Sequence, residues 1–182
     1  MRALAILIFL VTAFGVVGIL ADYFPGAAGL IPRLVIDALL AFVAVLVHEL
    51  GHAATARRLG ADVHSIVVLP FELRFRPRKL RMKWRAGHGD LGGYVAYTLD
   101  RIAARRKHMA IAAAGPAANL LLALVAGLLA GKVGPQTLPG TLLGALAMLS
   151  VGMGLANLVP FKGSDGHQIL HRFRQGRSVR PG

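Results

Sequence analysis

Four stretches of this chain are long and apolar enough to cross a lipid bilayer, at about 3–21, 34–56, 109–130 and 141–159. A hydrocarbon core of roughly 30 Å requires about 20 residues of helix. Lipid offers no partner to an unpaired backbone N–H or C=O, so spanning segments in this pattern must be helical. The pattern predicts an all-α polytopic membrane protein with four transmembrane helices, built as a single integral-membrane domain over 1–182. The first stretch follows Arg2 and so has the basic start of a signal peptide. Its uninterrupted length and the absence of an A-x-A-like exit identify it as a retained helix. The chain is 55% hydrophobic and 16% charged, against about 25% charged in soluble domains. It has no cysteine, which excludes disulfides, thiolate metal sites and cysteine nucleophiles.

The net charge of +13 resembles a nucleic-acid footprint until its placement is considered. Thirteen Lys or Arg lie between Arg57 and Lys107, five follow the fourth helix, and Arg2 opens the chain, so 19 of the 21 share one side of a four-span topology. The two remaining connections hold only Arg33 and Lys132. The positive-inside rule makes the basic side cytoplasmic, with both termini inside, which suits a bacterial cytoplasmic membrane. The charge then reflects topology and contact with anionic lipids, and no nucleic-acid partner is expected.

The one sizeable extramembrane piece, about 60–107, lies between the second and third helices. Phe71, Leu73 and Phe75 alternate with Glu72, Arg74 and Arg76; after Pro77-Arg78-Lys79, Leu80, Met82 and Trp84 alternate with Arg81, Lys83 and Arg85. Period two on both sides of a short turn predicts a β-hairpin with one apolar face and one cationic face. Such a ribbon can lie on the membrane, charged face to lipid phosphates, and can pack on the helices, and the two are not exclusive. A further extended stretch, Leu91 to Thr98, contains Gly92-Gly93, which suits a bulge or a close backbone approach. The segment as a whole is a small membrane-associated β-structure, and residues 166–182 form a basic cytoplasmic tail.

The second helix ends in His48-Glu49-Leu50-Gly51-His52. Histidines at i and i+4 share one helical face and can reach a single ion. Glu49 sits beside them, where a carboxylate can take a proton from a water on that ion. Ionisable residues in a spanning helix cost roughly 2.5–3.5 kcal/mol each at its centre, so three within five positions require a physical reason. A tetrahedral zinc needs a third protein ligand and an open position. Of the eight acids, Asp37 is expected to pair with Arg33 one helical turn away. Asp165 follows the fourth helix on the same side as His52, and topology nominates it as the third ligand.

These residues resemble the site-2 protease family of intramembrane zinc metalloproteases. The resemblance is carried by His48-Glu49-Leu50-Gly51-His52, by Gly115-Pro116-Ala117-Ala118-Asn119, and by Asn157-Leu158-Val159-Pro160 with Asp165-Gly166. It implies that His48, His52 and Asp165 hold one Zn2+ per chain. It also implies that Glu49 is the general base on a zinc-bound water, and that Asn157 lies near the oxyanion or the substrate. Asn119 is a weaker candidate for the same neighbourhood; for both asparagines, interhelical hydrogen bonding is the alternative. Gly92, Gly93 and Tyr94 would form an edge strand that pairs with an unwound substrate. The implied activity is hydrolysis of a peptide bond in or near a transmembrane segment of a protein substrate. Phe161-Lys162-Gly163-Ser164 departs from the family's proline-rich approach to the aspartate. No PDZ domain is inserted, so regulation is expected from a separate protein. The competing readings are a non-hydrolytic metal transporter and a catalytically inactive membrane scaffold.

Overall fold

The computed structural model describes residues 1–75, 77–82, 93–100 and 102–175. Helix α1 (Arg2–Ile19) ends in a 3₁₀ turn over Leu20–Asp22, and α2 (Leu30–Arg58) follows. Four strands come next: β1 (Asp62–Val68), β2 (Phe71–Phe75), β3 (Arg78–Met82) and β4 (Gly93–Thr98). Helices α3 (Ala104–Val133), α4 (Leu138–Leu158) and α5 (Asp165–Gln175) complete the chain. The first four helices are each long and apolar enough to span a membrane. They carry large apolar residues on their outer faces, including Leu7, Phe14, Ile31, Leu39, Leu121 and Leu128. In water such faces would be a liability.

Small residues set the helix packing. A Cβ on Gly51 of α2 would fall 2.6 Å from the Ala114 carbonyl oxygen and 2.7 Å from the Ala118 Cβ of α3. One on Gly152 of α4 would fall 2.4 Å from Thr12 of α1. Helices thus approach closely wherever their facing positions lack a side chain, as the glycines of the fourth stretch predict. Val16, Leu20, Ala145 and Leu149 form the core between α1 and α4.

The sheet is antiparallel, with strand order β3-β2-β1-β4. The predicted hairpin is β2–β3, paired Phe71↔Met82 through Phe75↔Arg78. Arg78 and Lys79 are therefore strand residues rather than part of the turn. Lys83, Trp84, Arg85 and Leu91 lie outside the described residues. The inner part of the apolar face packs on α2: Ile66, Val68 and Val95 join Ala53 and Ala56, and Phe71 meets Phe42 edge to face at 5.9 Å. Its outer part remains uncovered, with Leu80 68% and Met82 60% exposed. The sheet thus turns its apolar face towards the helices, and the packed reading of the hairpin holds at its inner half. The anticipated Arg33–Asp37 pair does not form. Arg33 donates instead to the Gly29 and Gly26 carbonyls at 3.1 and 3.0 Å, because those carbonyls, at the N-cap of α2 and in the turn before it, lie within reach of the guanidinium. The first part of the basic tail, through Gln175, is helix α5, and 176–182 lie outside the described residues.

Candidate metal centre

Three elements converge on one point. Helix α2 brings His48, Glu49 and His52, all buried. Helix α4 stops at Leu158 because Val159 is extended (φ −66°, ψ 123°) and Pro160 follows. The chain turns through 161–164 and starts α5 at Asp165. Ser164 makes that turn. Its hydroxyl donates to the Val159 carbonyl at 2.7 Å and accepts from the Phe161 and His167 N–H groups, each at 3.1 Å. Ser164 is thereby the N-cap of α5, which places Asp165 in the first turn, where the helix dipole favours a carboxylate. Gly166 is obligatory here: a Cβ on it would lie 2.0 Å from the Leu158 carbonyl oxygen. Ser164, where the chain departs from the family pattern, thus fixes the position of Asp165.

The donor atoms lie close enough together to share one metal ion. His48 Nε2 lies 3.0 Å from Asp165 Oδ2, His52 Nε2 lies 3.4 Å from Asp165 Oδ1, and the two Nε2 atoms are 3.1 Å apart. Ligand atoms at the corners of a tetrahedron with bonds of about 2.0–2.1 Å stand about 3.3–3.4 Å apart. The imidazoles cross at 83°, so their nitrogens converge instead of stacking. Helix α3 supplies no ligand but backs the pair. A Cβ at Gly115 would sit 2.3 Å from His52 Nε2 and 2.7 Å from His48 Nε2. His52 Nδ1–H donates to the Ile111 carbonyl at 2.7 Å, leaving Nε2 with its lone pair free for an ion. Among the described residues, His48, His52 and Asp165 are the group of three that could hold a metal. Burial pushes the Asp165 carboxyl up, but its hydrogen-bonding contacts with the His48 and His52 side chains outweigh this and hold the carboxyl below its ordinary value.

Glu49 does not join the three donors; it lines a cleft of about 160 Å³ beside them. Asn157, Tyr94, Gly93, Tyr97 and Gln168 line the same cleft. Asn157 is half-buried there, and its Nδ2 donates to the Met153 carbonyl at 3.2 Å, one helical turn back. Gly93 opens β4 against the carboxylate: a Cβ there would meet Glu49 Oε1 at 2.7 Å. Gly92 lies outside the described residues. Asn119 is fully buried, with its Nδ2 3.2 Å from His48 Nδ1, and is not among the residues lining the cleft. Strand β4 is an edge of the sheet, on the side away from the hairpin. Sequence reading alone passed over Ile111, Tyr97 and Gln168, and it named Gly115 and Ser164 without the parts they play in the site. Of these only Ser164 carried a local signal, a cap residue immediately before an acid.

Residues 37–139 match peptidase family M50. This span holds His48, Glu49, His52 and Asn119 and ends before Asp165, which the fold itself brings beside His48 and His52. Three curated relatives are similar. The candidate zinc metalloprotease sll0528 of Synechocystis sp. is 30% identical over 81% of this chain and 34% of its own. The candidate zinc metalloprotease Rip3 of Mycobacterium tuberculosis is 31% identical over 90% of this chain and 39% of its own. The zinc metalloprotease MJ0392 of Methanocaldococcus jannaschii is 28% identical over 72% of this chain and 32% of its own. The chain thus spans about a third to two fifths of the length of these relatives. No solved structure matches it significantly.

Proposed function

The chain belongs to peptidase family M50, the site-2 proteases, and from that premise we propose that it is a zinc-dependent intramembrane endopeptidase. The observation that carries this reading is the convergence of His48 Nε2, His52 Nε2 and an Asp165 oxygen beside a carboxylate that remains outside the ligand set. One Zn2+ held by these three residues would keep a position open for water, lower that water's pKa to about 7 and polarise the scissile carbonyl. Glu49 accepts the proton of the attacking water and passes it to the leaving amine. Its neighbour Gly93 keeps the carboxylate uncrowded and the strand backbone close. Asn157, with one N–H committed to Met153, has its second N–H to offer to the developing oxyanion.

The substrate is a transmembrane segment. A peptide bond inside a helix is shielded, so the segment must unwind, and unwound backbone in lipid leaves polar groups unsatisfied at several kcal/mol each. Strand β4, an edge of the sheet among the described residues, runs past the cleft through Gly93 and Tyr94 and would supply those partners by strand addition. The apolar outer faces of the four long helices suit a bilayer, and the basic connections favour a site near its cytoplasmic face. The basic residues there meet anionic lipid headgroups.

The test is cleavage of a single-span protein substrate in liposomes. Activity should vanish on chelation and return with about one equivalent of zinc. Cleavage that survives complete removal of metal would overturn this reading.

A further inference from the structure

The ligand set leaves Asn119 without a task, although its side chain is completely enclosed and touches a ligand. Building on the metal site proposed above, we propose that Asn119 is a positioning residue that sets which nitrogen of His48 faces the metal. A side-chain amide has both donors and an acceptor. As placed, Nδ2 lies 3.2 Å from His48 Nδ1, while Oδ1 is buried with no hydrogen-bond partner among the described residues. That arrangement suits a His48 that accepts at Nδ1 and donates its Nε2–H to Asp165 Oδ2 at 3.0 Å. Ligation through Nε2 demands the opposite tautomer, with the proton on Nδ1. A half-turn of the amide exchanges its oxygen and nitrogen within the same volume. Oδ1 then accepts Nδ1–H, and Nδ2 takes over the enclosed position that the oxygen leaves.

The contrast with His52 gives this arrangement its meaning. The Ile111 carbonyl can only accept, so His52 is held permanently with its proton on Nδ1. Asn119 can serve His48 in either tautomer. Both outer partners come from α3, on opposite sides of Gly115-Pro116, so a helix that contributes no ligand orients both histidines. Of the residue types close to asparagine in size, leucine offers neither role, and aspartate offers only acceptance.

The experiment is zinc affinity of the full chain in detergent, by competition with a chromogenic chelator, for wild type, Asn119→Leu, Asn119→Asp and His48→Ala. Helical content is checked by circular dichroism. Loss of an outer hydrogen bond typically weakens binding by about 10- to 100-fold, and Asn119→Leu should fall in that range. Asn119→Asp should bind at least as tightly as wild type, because its carboxylate accepts only from Nδ1–H. A residue that merely fills space would give the reverse order, since a buried charge disturbs packing more than leucine does. Wild-type affinity in Asn119→Leu, or equal losses in both variants, would overturn the role of Asn119. If His48→Ala binds zinc as wild type does, the metal site itself is wrong and this inference goes with it.

Discussion

Replacing Gly115 by alanine sets helix propensity against the geometry of the site. An alanine in a helix interior is favoured over glycine by about 1 kcal/mol, so local preference predicts a more stable α3. The structure predicts a damaged metal centre. The new methyl would stand 2.3 Å from His52 Nε2, 2.6 Å from its Cε1 and 2.7 Å from His48 Nε2. To reach an ordinary contact of 3.4 Å, the His52 nitrogen must retreat by about 1.1 Å. Metal–ligand distances tolerate only about 0.2 Å, so His52 cannot remain a ligand in that position. Zinc affinity should fall by at least about 100-fold, the upper end of what losing an outer hydrogen bond costs, with helical content unchanged. The assay is chelator competition on the purified chain. Gly131→Ala in the same helix, where nothing lies within 4 Å, serves as the control and should keep zinc while gaining about 0.4–1 kcal/mol in stability. Wild-type zinc affinity in Gly115→Ala would refute the reasoning.

Gly93→Ala pushes a methyl against Glu49 Oε1 and leaves the ligands alone; it should cut the rate of substrate cleavage by about 10-fold or more with zinc content intact, as metal analysis of the same sample would check. Ser164→Ala removes the cap of α5 and its tie to Val159, at about 1 kcal/mol. It should loosen Asp165 and weaken zinc binding, though less than Asp165→Ala does. The acid limb of stability follows from Asp165, whose carboxyl is held below 3.8. Its contribution is complete above about pH 4 and is lost as the pH falls through the lowered value. Thermal unfolding from pH 5 to 2 should show that limb in the wild type, and Asp165→Asn should flatten it.

The long helices are legible because about 20 consecutive apolar residues have few other solutions. The β2–β3 hairpin is legible because Phe71, Leu73 and Phe75 alternate with charges. Strand β1 is less so: its residues 65–68 are buried on both faces, and a strand covered on both sides loses its alternation. Helix α5 is short and polar, and its one local sign is the cap at Ser164. His48, Glu49 and His52 stand out because charge in an apolar helix demands a reason, and Asp165 because few acids remain to choose from. The outer shell is not written locally. Gly115 and Asn119 acquire their meaning only when α3 packs behind the two imidazoles, and a sequence contains no distance between residues 48 and 119.

The most direct test of the account is Glu49→Gln, assayed together with wild type for cleavage of a single-span substrate and for bound zinc. Glu49 lines the cleft without joining the ligands, so the account predicts about one zinc in each protein and cleavage by the wild type alone. Cleavage undiminished in Glu49→Gln, with the same zinc content, would contradict it.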